Sequence, residues 1–448
     1  MKNERIRGNT EWYISAFSSF EKGLNGQTKI PFHKHRKNAL SQLNMLGFPT
    51  TKHEDWKYTN LDSLLKINFE PASKDMDVEI DRNSIKKFLI AEKDFHLIVF
   101  INGSFSKELT SIKSVGQNII IDSLNSAFKN HSNLINDHIG KYTSTQEDSF
   151  TALNTAFSYD GAFVYLPENA KLEKPVQFLF LSDSESQSKL HTLRNLFIAE
   201  NHSQATIIET YAGLSDNTYF TNTVSEIIAD ENSQIDHFKI QSESNNAFHI
   251  GSTFIHQDQN SNFTSNSFSF GGKLVRNNLN SILDGEGIEC IMDGLYIANE
   301  NQLIDNHTSI DHAKPHCQSH ELYKGILDDK ARGVFSGKIM VRKDAQKTNA
   351  VQSNNCVLLS DDATIDTKPQ LEIYADDVKC THGATVGQLD DDAFFYMRSR
   401  GIGKKQAREL LIYAFASDVV DRIKSDSVRE KIAGMLSEKL TMTKAVEY

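Results

Sequence analysis

"IADENSQ" at Ile228–Gln234 has a near-copy upstream, "IAENHSQ" at Ile198–Gln204, and another downstream, "IHQDQNS" at Ile255–Ser261. Each is an apolar residue or two followed by a short polar corner. The shape recurs in "ILDGEGI" (Ile282–Ile288), "IANENQL" (Ile297–Leu303), "ILDDKAR" (Ile326–Arg332) and "VRKDAQK" (Val341–Lys347). It continues in "LSDDATI" (Leu359–Ile365), "YADDVKC" (Tyr374–Cys380) and "LDDDAFF" (Leu389–Phe395). Neighbouring corners are spaced by about 15 residues or about twice that, the mark of a self-stacking architecture. A unit of that length holds one strand and one corner, so two units close a coil of about 30 residues, stacked on the last at about 4.8 Å. The spacing predicts a parallel β-helix of about eight coils over 156–391. A propeller would need blades of about 40–45 residues and hairpin turns, and two-residue Asn-Gly or Asp-Gly hairpin signals are few here.

The flanks have a different texture. Residues 1–155 read as mostly helical. In "EWYISAFSSFEKGL" (Glu11–Leu24), Trp12, Ile14, Phe17 and Phe20 fall near helical spacing. "SIKKFLIAEK" (Ser84–Lys93) and "SLNSAFKNHSNLINDHIGK" (Ser123–Lys141) read likewise, with one strand, "FHLIVFING" (Phe95–Gly103), between them. "GFPTTKHEDWKYTNL" (Gly47–Leu61) is a turn-rich connector whose Trp56 and Tyr58 are expected in the core. Residues 392–448 are helical again: Ala407, Leu410, Leu411, Ala414, Phe415 and Val419 form an apolar stripe. Ser427 and Glu430 fit a capping box opening a second helix, with Ile432, Met435 and Leu436 on one face. A strand stack has two raw ends that template aggregation, so helical caps at both ends are expected. The carboxy-terminal pair is equally suited to dock a partner. The fold class is mainly β, a parallel β-helix flanked by amino- and carboxy-terminal α-helical regions.

Composition narrows the partners. Lys plus Arg number 48 against 59 Asp plus Glu, a formal net charge of -11. That excess repels polyanions, and the longest basic run, "HKHR" at His33–Arg36, is short, so no nucleic-acid partner is expected. No run approaches the roughly 20 apolar residues that cross a bilayer. "MKNERIRGNTEWYISAFSSF" (Met1–Phe20) lacks the apolar run and cleavage site of a secretory signal. The four cysteines are too sparse for a disulfide framework and read as free thiols in a reducing compartment. A soluble cytoplasmic protein, with no membrane partner, is expected. No nucleotide-binding or hydrolase fingerprint occurs. Asp361–Asp362 and Asp390–Asp392 could pair as glycosidase or lyase carboxylates, but solvated corners explain them more simply.

Two stretches carry candidate chemistry. In "HTSIDHAKPHCQSH" (His307–His320), His312, His316 and His320 would line one face of a helix and could take zinc, but Pro315 interrupts that helix. In a strand, His316, Gln318 and His320 share a face opposite Cys317, while His307 and His312 oppose one another. Polar and packing histidines are therefore preferred to a metal site, and a His-rich metalloprotein is kept as an alternative. In "ADDVKCTHGATVG" (Ala375–Gly387), Cys380 and His382 emerge on one strand face together with Ala384 and Val386. Such a face is either buried or covered by a partner. A thiol beside an imidazole can hold iron or a sulfur species; a buried Cys near a hydrogen-bonded His is the commoner meaning of the spacing.

Several of these runs carry a family likeness: "HTSIDHAKPHCQSHELYKGIL" (His307–Leu327), "ARGVFSGKIMV" (Ala331–Val341), "AQKTNAVQSNN" (Ala345–Asn355), "IDTKPQLEIYADDVKCTHGATVG" (Ile365–Gly387) and "FFYMRSRGI" (Phe394–Ile402). They resemble the SufB/SufD family of the SUF iron–sulfur cluster assembly machinery, and within it the SufD branch. The resemblance implies a right-handed parallel β-helix and a non-catalytic scaffold in complex with a SufB homologue and the SufC ATPase. It implies that the β-helices pair through their carboxy-terminal ends, with clusters forming at that junction. His382, with Cys380 beside it, would then be the cluster-assembly pair, His382 acting as a transient metal ligand. The helices that follow would dock SufC, through Leu410, Leu411, Phe415 and Val419. No tightly bound cofactor is implied; a transient Fe–S cluster and reduced flavin belong to the complex, and a homodimer is the alternative state without SufB. SufB chains often carry clustered amino-terminal cysteines, absent here, and a glutamate where this chain has Gly383. Cys356 lies near the sulfur-accepting cysteine of SufB and is taken as incidental. A polysaccharide-acting β-helix enzyme, which would be exported and grooved, is the remaining alternative.

Overall fold

The computed structural model describes residues 2–24, 26–72, 80–90, 94–116, 118–183 and 188–442. Its centre is a parallel β-solenoid whose strands alternate between two sheets. One sheet stacks Ala162–Leu166, Lys189–Ala199, Phe220–Ala229, Phe248–Gln257, Leu274–Leu283, Leu303–His312, Arg332–Val341 and Thr364–Ile373. The other stacks Val176–Ser182, Gln204–Gly213, Gln234–Ser242, Asn262–Ser269, Glu289–Ala298, Gln318–Leu327, Asn349–Leu358 and Lys379–Gly387. Phe248 pairs with Leu274 and Leu274 with Leu303, so coils repeat at steps of 26 and 29 residues. The expected eight coils appear as eight strand pairs superposed through about seven turns.

The repeated corners explain why the stack stays in register. Asn169, His202, Asn232, Asn260, His316 and Lys347 all adopt positive φ, between 54° and 62°, and Gly287 takes the same place at 72°. That left-handed conformation suits Gly and is tolerated by Asn, Asp and His. Each corner also bonds to the next: Asn169 N–H donates to the Asn201 carbonyl, Asn232 to Gln259, Asn260 to Glu286 and His316 to Gln346. Glu300 and Asp329 play this part in a second column of corners.

Alternate residues face inward and fill the bore, from Ile98 and Phe178 through Phe197, Ile235, Phe263 and Met292 to Phe335. Where a large ring enters, the neighbouring coil supplies glycine. Gly294 pairs with Tyr323 and Gly325 with Tyr296, and a Cβ on either glycine would overlap the ring.

Among the described residues neither end is capped by helices, which corrects the expectation. At the first coil, His96–Ile101 joins one sheet and folds back antiparallel on Ser104–Ser111, while Ile120–Ser123 pairs antiparallel with Ala162–Leu166. The region before the solenoid thus holds more than the one expected strand. Its hairpin turns at Asn102–Gly103, both at positive φ, the combination a tight hairpin demands. Of the helix expected at Ser84–Lys93, only Arg82–Ile85 and a short turn at Lys86–Phe88 form, and Ala91–Lys93 lie outside the described residues.

Helices lie instead along the flanks. Lys2–Gly23, Phe32–Leu46 and Ser149–Phe157 pack Tyr13, Phe17, Leu43, Phe150 and Phe157 against Leu190, Phe220, Phe248 and Leu274 of one sheet. Lys404–Val420 and Asp426–Met442 pack Ile412, Ala416, Val419, Ile432 and Leu436 against Phe238, Phe268, Leu295 and Ile326 of the other. Ser427 lies inside the last helix, not at its cap. Beyond Thr364–Ile373 and Lys379–Gly387 no further coil is stacked among the described residues, so the last coil has an open edge.

One buried ion pair fastens the amino-terminal region to the solenoid. Arg194 and Glu226 are fully buried and bonded to one another. The carboxylate also accepts from the Gly140 N–H at 2.9 Å, and Arg194 donates to Thr155 Oγ1 at 3.1 Å. Replacing Arg194 by Met strands a buried carboxylate, a loss of about 3–5 kcal/mol. Urea unfolding should show that drop for Arg194→Met and a partial recovery for the double variant Arg194→Met/Glu226→Gln.

Candidate functional site

The last strand, Lys379–Gly387, sits on Asn349–Leu358 with Ala350 opposite Cys380, Gln352 opposite His382, Asn354 opposite Ala384 and Cys356 opposite Val386. Cys380 faces the bore, packed with Ile339, Val341, Ala350, Leu371 and Ala375. It is half-buried, and that burial pushes its thiol pKa up, against a backbone hydrogen bond from Ala350. His382, two residues on, is exposed, and open space surrounds Gly383. Val386 is 44% exposed and Tyr374 62%. The face expected to be buried or covered is bare in the single chain.

Among the described residues no group of three or more His, Cys, Asp or Glu side chains is placed to hold a metal ion. A cluster bound at this edge would therefore need ligands from outside the chain. Neutral imidazole and thiolate both suit iron.

The four histidines of His307–His320 diverge. His307 Nε2 lies 3.0 Å from an Asp305 oxygen. His312 is buried with Nε2 2.9 Å from Ser319 Oγ. His316 is a corner residue at φ 62°, and His320 is half-buried on the strand Gln318–Leu327. Cys317 is buried, its thiol donating to the Gly285 carbonyl at 3.1 Å. Cys356 is also buried, its sulfur 3.3 Å from Tyr296 Oη. Asp390 is a helix cap, since its carboxylate accepts from the Asp392 and Ala393 N–H groups at the start of the helix Asp391–Ser399. Asp361 and Asp362 are exposed corner residues.

The four residues expected to dock a partner do not share one face. Leu410 is exposed and Leu411 half-buried. Phe415 is half-buried, its ring 4.3 Å from Lys324 Nζ. Val419 is fully buried against the solenoid and belongs to the chain's own core, so it leaves the docking set. Periodicity alone puts all four on one stripe because it treats every apolar side chain alike; Ile412 and Ala416 mark the buried side. Tyr413, near Leu410, and Phe395 and Tyr396, on the preceding helix, are exposed aromatics that the stripe does not include.

The class is a parallel β-solenoid that offers a thiol and an imidazole on its last, open coil. The chain matches the family model of the SUF system FeS cluster assembly SufBD core domain over residues 180–415, and that of the SufBD protein amino-terminal region over 8–178. It is 36% identical over 410 residues to an iron-sulfur cluster assembly SufBD family protein of Synechocystis sp., covering 90% of each chain. With the iron-sulfur cluster assembly protein SufD of Escherichia coli it shares 31% over 405 residues, covering 90% of this chain and 91% of the other. With SufD of Bacillus subtilis it shares 27% over 425 residues, covering 90% and 93%. The chain belongs to the SufBD family of iron–sulfur cluster assembly proteins.

Two buried histidines each make an acid-labile contribution to stability. Burial pushes both His191 and His312 down to about 4, and neither meets a carboxylate at hydrogen-bond distance. The unfolded chain protonates these rings near pH 6.5 and the folded chain does not, so the stability these two rings contribute is full above about 6.5 and is lost as pH drops toward 4. Each ring contributes about 3 kcal/mol to that fall. From pH 7 to pH 4 the wild type should lose stability relative to His312→Gln, read as the change in the difference between their urea midpoints.

Proposed function

We propose that this chain is a non-catalytic scaffold that mates through its open solenoid end with a SufB-type subunit and presents His382 to a cluster forming at the junction. The observation that carries this reading is the exposed imidazole on a strand whose outer edge is unpaired. A partner edge would satisfy the free backbone groups and cover Tyr374 and Val386, and its side chains would supply the missing ligands. Imidazole, a borderline donor, holds iron less firmly than thiolate and so eases onward release. Cys380 stands beside it as a second donor, held protonated until iron or a rearrangement arrives.

A SufC-type ATPase would dock on the outward face of Lys404–Val420, through Leu410, Leu411 and the exposed rim of Phe415. That docking would let nucleotide-driven motion strain the solenoid pair. The working complex would be cytoplasmic and carry no tightly bound cofactor, with the transient cluster as its cargo and reduced flavin as a reductant within the complex. Without its SufB-type partner the chain would pair with a second copy. Among the described residues no helix is long and apolar enough to cross a membrane. The diverging histidines and the capping role of Asp390 weigh against the two alternative classes.

Reconstitution with SufB- and SufC-type subunits tests the ligand role. His382→Ala should leave the complex assembled and slow cluster formation by about tenfold or more, and a normal rate would overturn it. Leu411→Asp should lose the ATPase in a pull-down while keeping the SufB-type subunit; a retained ATPase would rule out that docking face.

A further inference from the structure

Behind His382 stand two buried polar side chains, one per coil, that neither packing nor the proposed docking explains. In successive coils the same inward position holds Met292, Glu321, Gln352 and His382, each in register with the next. Glu321 and Gln352 are 3% and 1% exposed. Gln352 Nε2 donates to Glu321 Oε2 at 2.7 Å, which fixes the amide with its nitrogen toward the carboxyl. Gln352 Oε1 is then left buried with no hydrogen-bond partner. That is an uncommon state for a buried acceptor, and the next residue up the column is an imidazole.

The surroundings make room for this arrangement. Across the bore stands Gly337, and a Cβ there would overlap Gln352 Nε2 and crowd Phe335. No cation is among the groups that act on Glu321, which are Thr308, Gln352 and Asp293. Burial pushes the Glu321 carboxyl up to about 7, with the Gln352 amide among the groups opposing that rise. A carboxyl placed this deep with no charge partner contributes little as a stabilising ion pair. In its ionised form it accepts from Gln352 Nε2 and so orients the amide.

We propose that Gln352 is a positioning residue for His382: its Oε1 accepts the imidazole N–H when the ring settles over the column, leaving the other ring nitrogen unprotonated for iron. Glu321 holds the amide in that sense. The inference rests on the reading of His382 as a cluster ligand. It extends that reading by naming the group that selects the tautomer, as second-sphere acceptors do for ligating histidines.

The test uses the full-length chain, alone and reconstituted with its SufB- and SufC-type subunits, and compares Gln352→Met, which removes the acceptor, with Gln352→Glu, which keeps one. Cluster formation from ferrous iron and sulfide should fall by about tenfold in Gln352→Met and stay within about threefold of wild type in Gln352→Glu. In the chain labelled with ¹⁵N-histidine, the His382 ring nitrogens should report one favoured tautomer in the wild type and a mixture in Gln352→Met. If Gln352→Met fails to fold, the double variant Gln352→Met/Glu321→Leu removes both polar partners together and takes its place.

Equal losses in Gln352→Met and Gln352→Glu, or an unchanged tautomer in Gln352→Met, would overturn the positioning role. A wild-type rate in Gln352→Met alongside a slow His382→Ala would do the same while leaving the ligand reading intact. A normal rate in His382→Ala would remove the ligand reading, and the tautomer measurement would then judge the column by itself.

Discussion

In a parallel ladder every strand needs a neighbour on both sides to satisfy its backbone, and a solenoid meets that need by stacking one coil on the next. The need is passed along the stack until the chain stops coiling. Here, among the described residues, Thr364–Ile373 and Lys379–Gly387 are paired on one side only. At the opposite end the chain folds antiparallel strands over the first coil. The contrast between a first coil covered by antiparallel strands and a last coil left bare organises the rest of the molecule. Raw edges invite unwanted pairing and are ordinarily blunted. The apolar and aromatic residues left uncovered around this one suit a mating surface.

The open end gains its stiffness from the coil beneath it. Cys380 and His382 are held in register on Ala350 and Gln352, which are fully buried. A donor on a mobile tail would sample many positions, whereas one on a stacked strand is fixed before any partner arrives. The helices contribute by staying off the end. Arg194 with Glu226 ties down the amino-terminal region, and Lys324 with Asp418 ties down the carboxy-terminal helix, both along the flanks. Arg422 adds a second link to the solenoid at Asp293.

Much of the solenoid is legible in the sequence because its corners obey a local rule. Asn232, Asn260 and Gly287 sit where the backbone must turn left-handed, so the chain repeats a short menu of residues at a fixed interval. The same rule accounts for His316, which counts toward a metal motif by proximity in sequence but occupies a corner in space. Asn102–Gly103 carries an equally clear hairpin signal, masked in the sequence by the long apolar run before it. Tertiary choices are not legible. Periodicity places Val419 and Leu410 on one stripe, and only packing against the solenoid separates the buried member from the exposed one. Strand parity puts His382 and Cys380 on one face, while the absence of a covering helix depends on where the last helices find apolar surface.

Hydrogen–deuterium exchange of the full-length chain, alone and with a SufB-type subunit, bears most directly on the open-end account. Amides of 364–373 and 379–387 that face no neighbouring coil should exchange fast in the dilute chain and become strongly protected in the complex, with 404–420 unchanged until the ATPase is added. Protection appearing elsewhere, with those two strands exchanging as before, would contradict it.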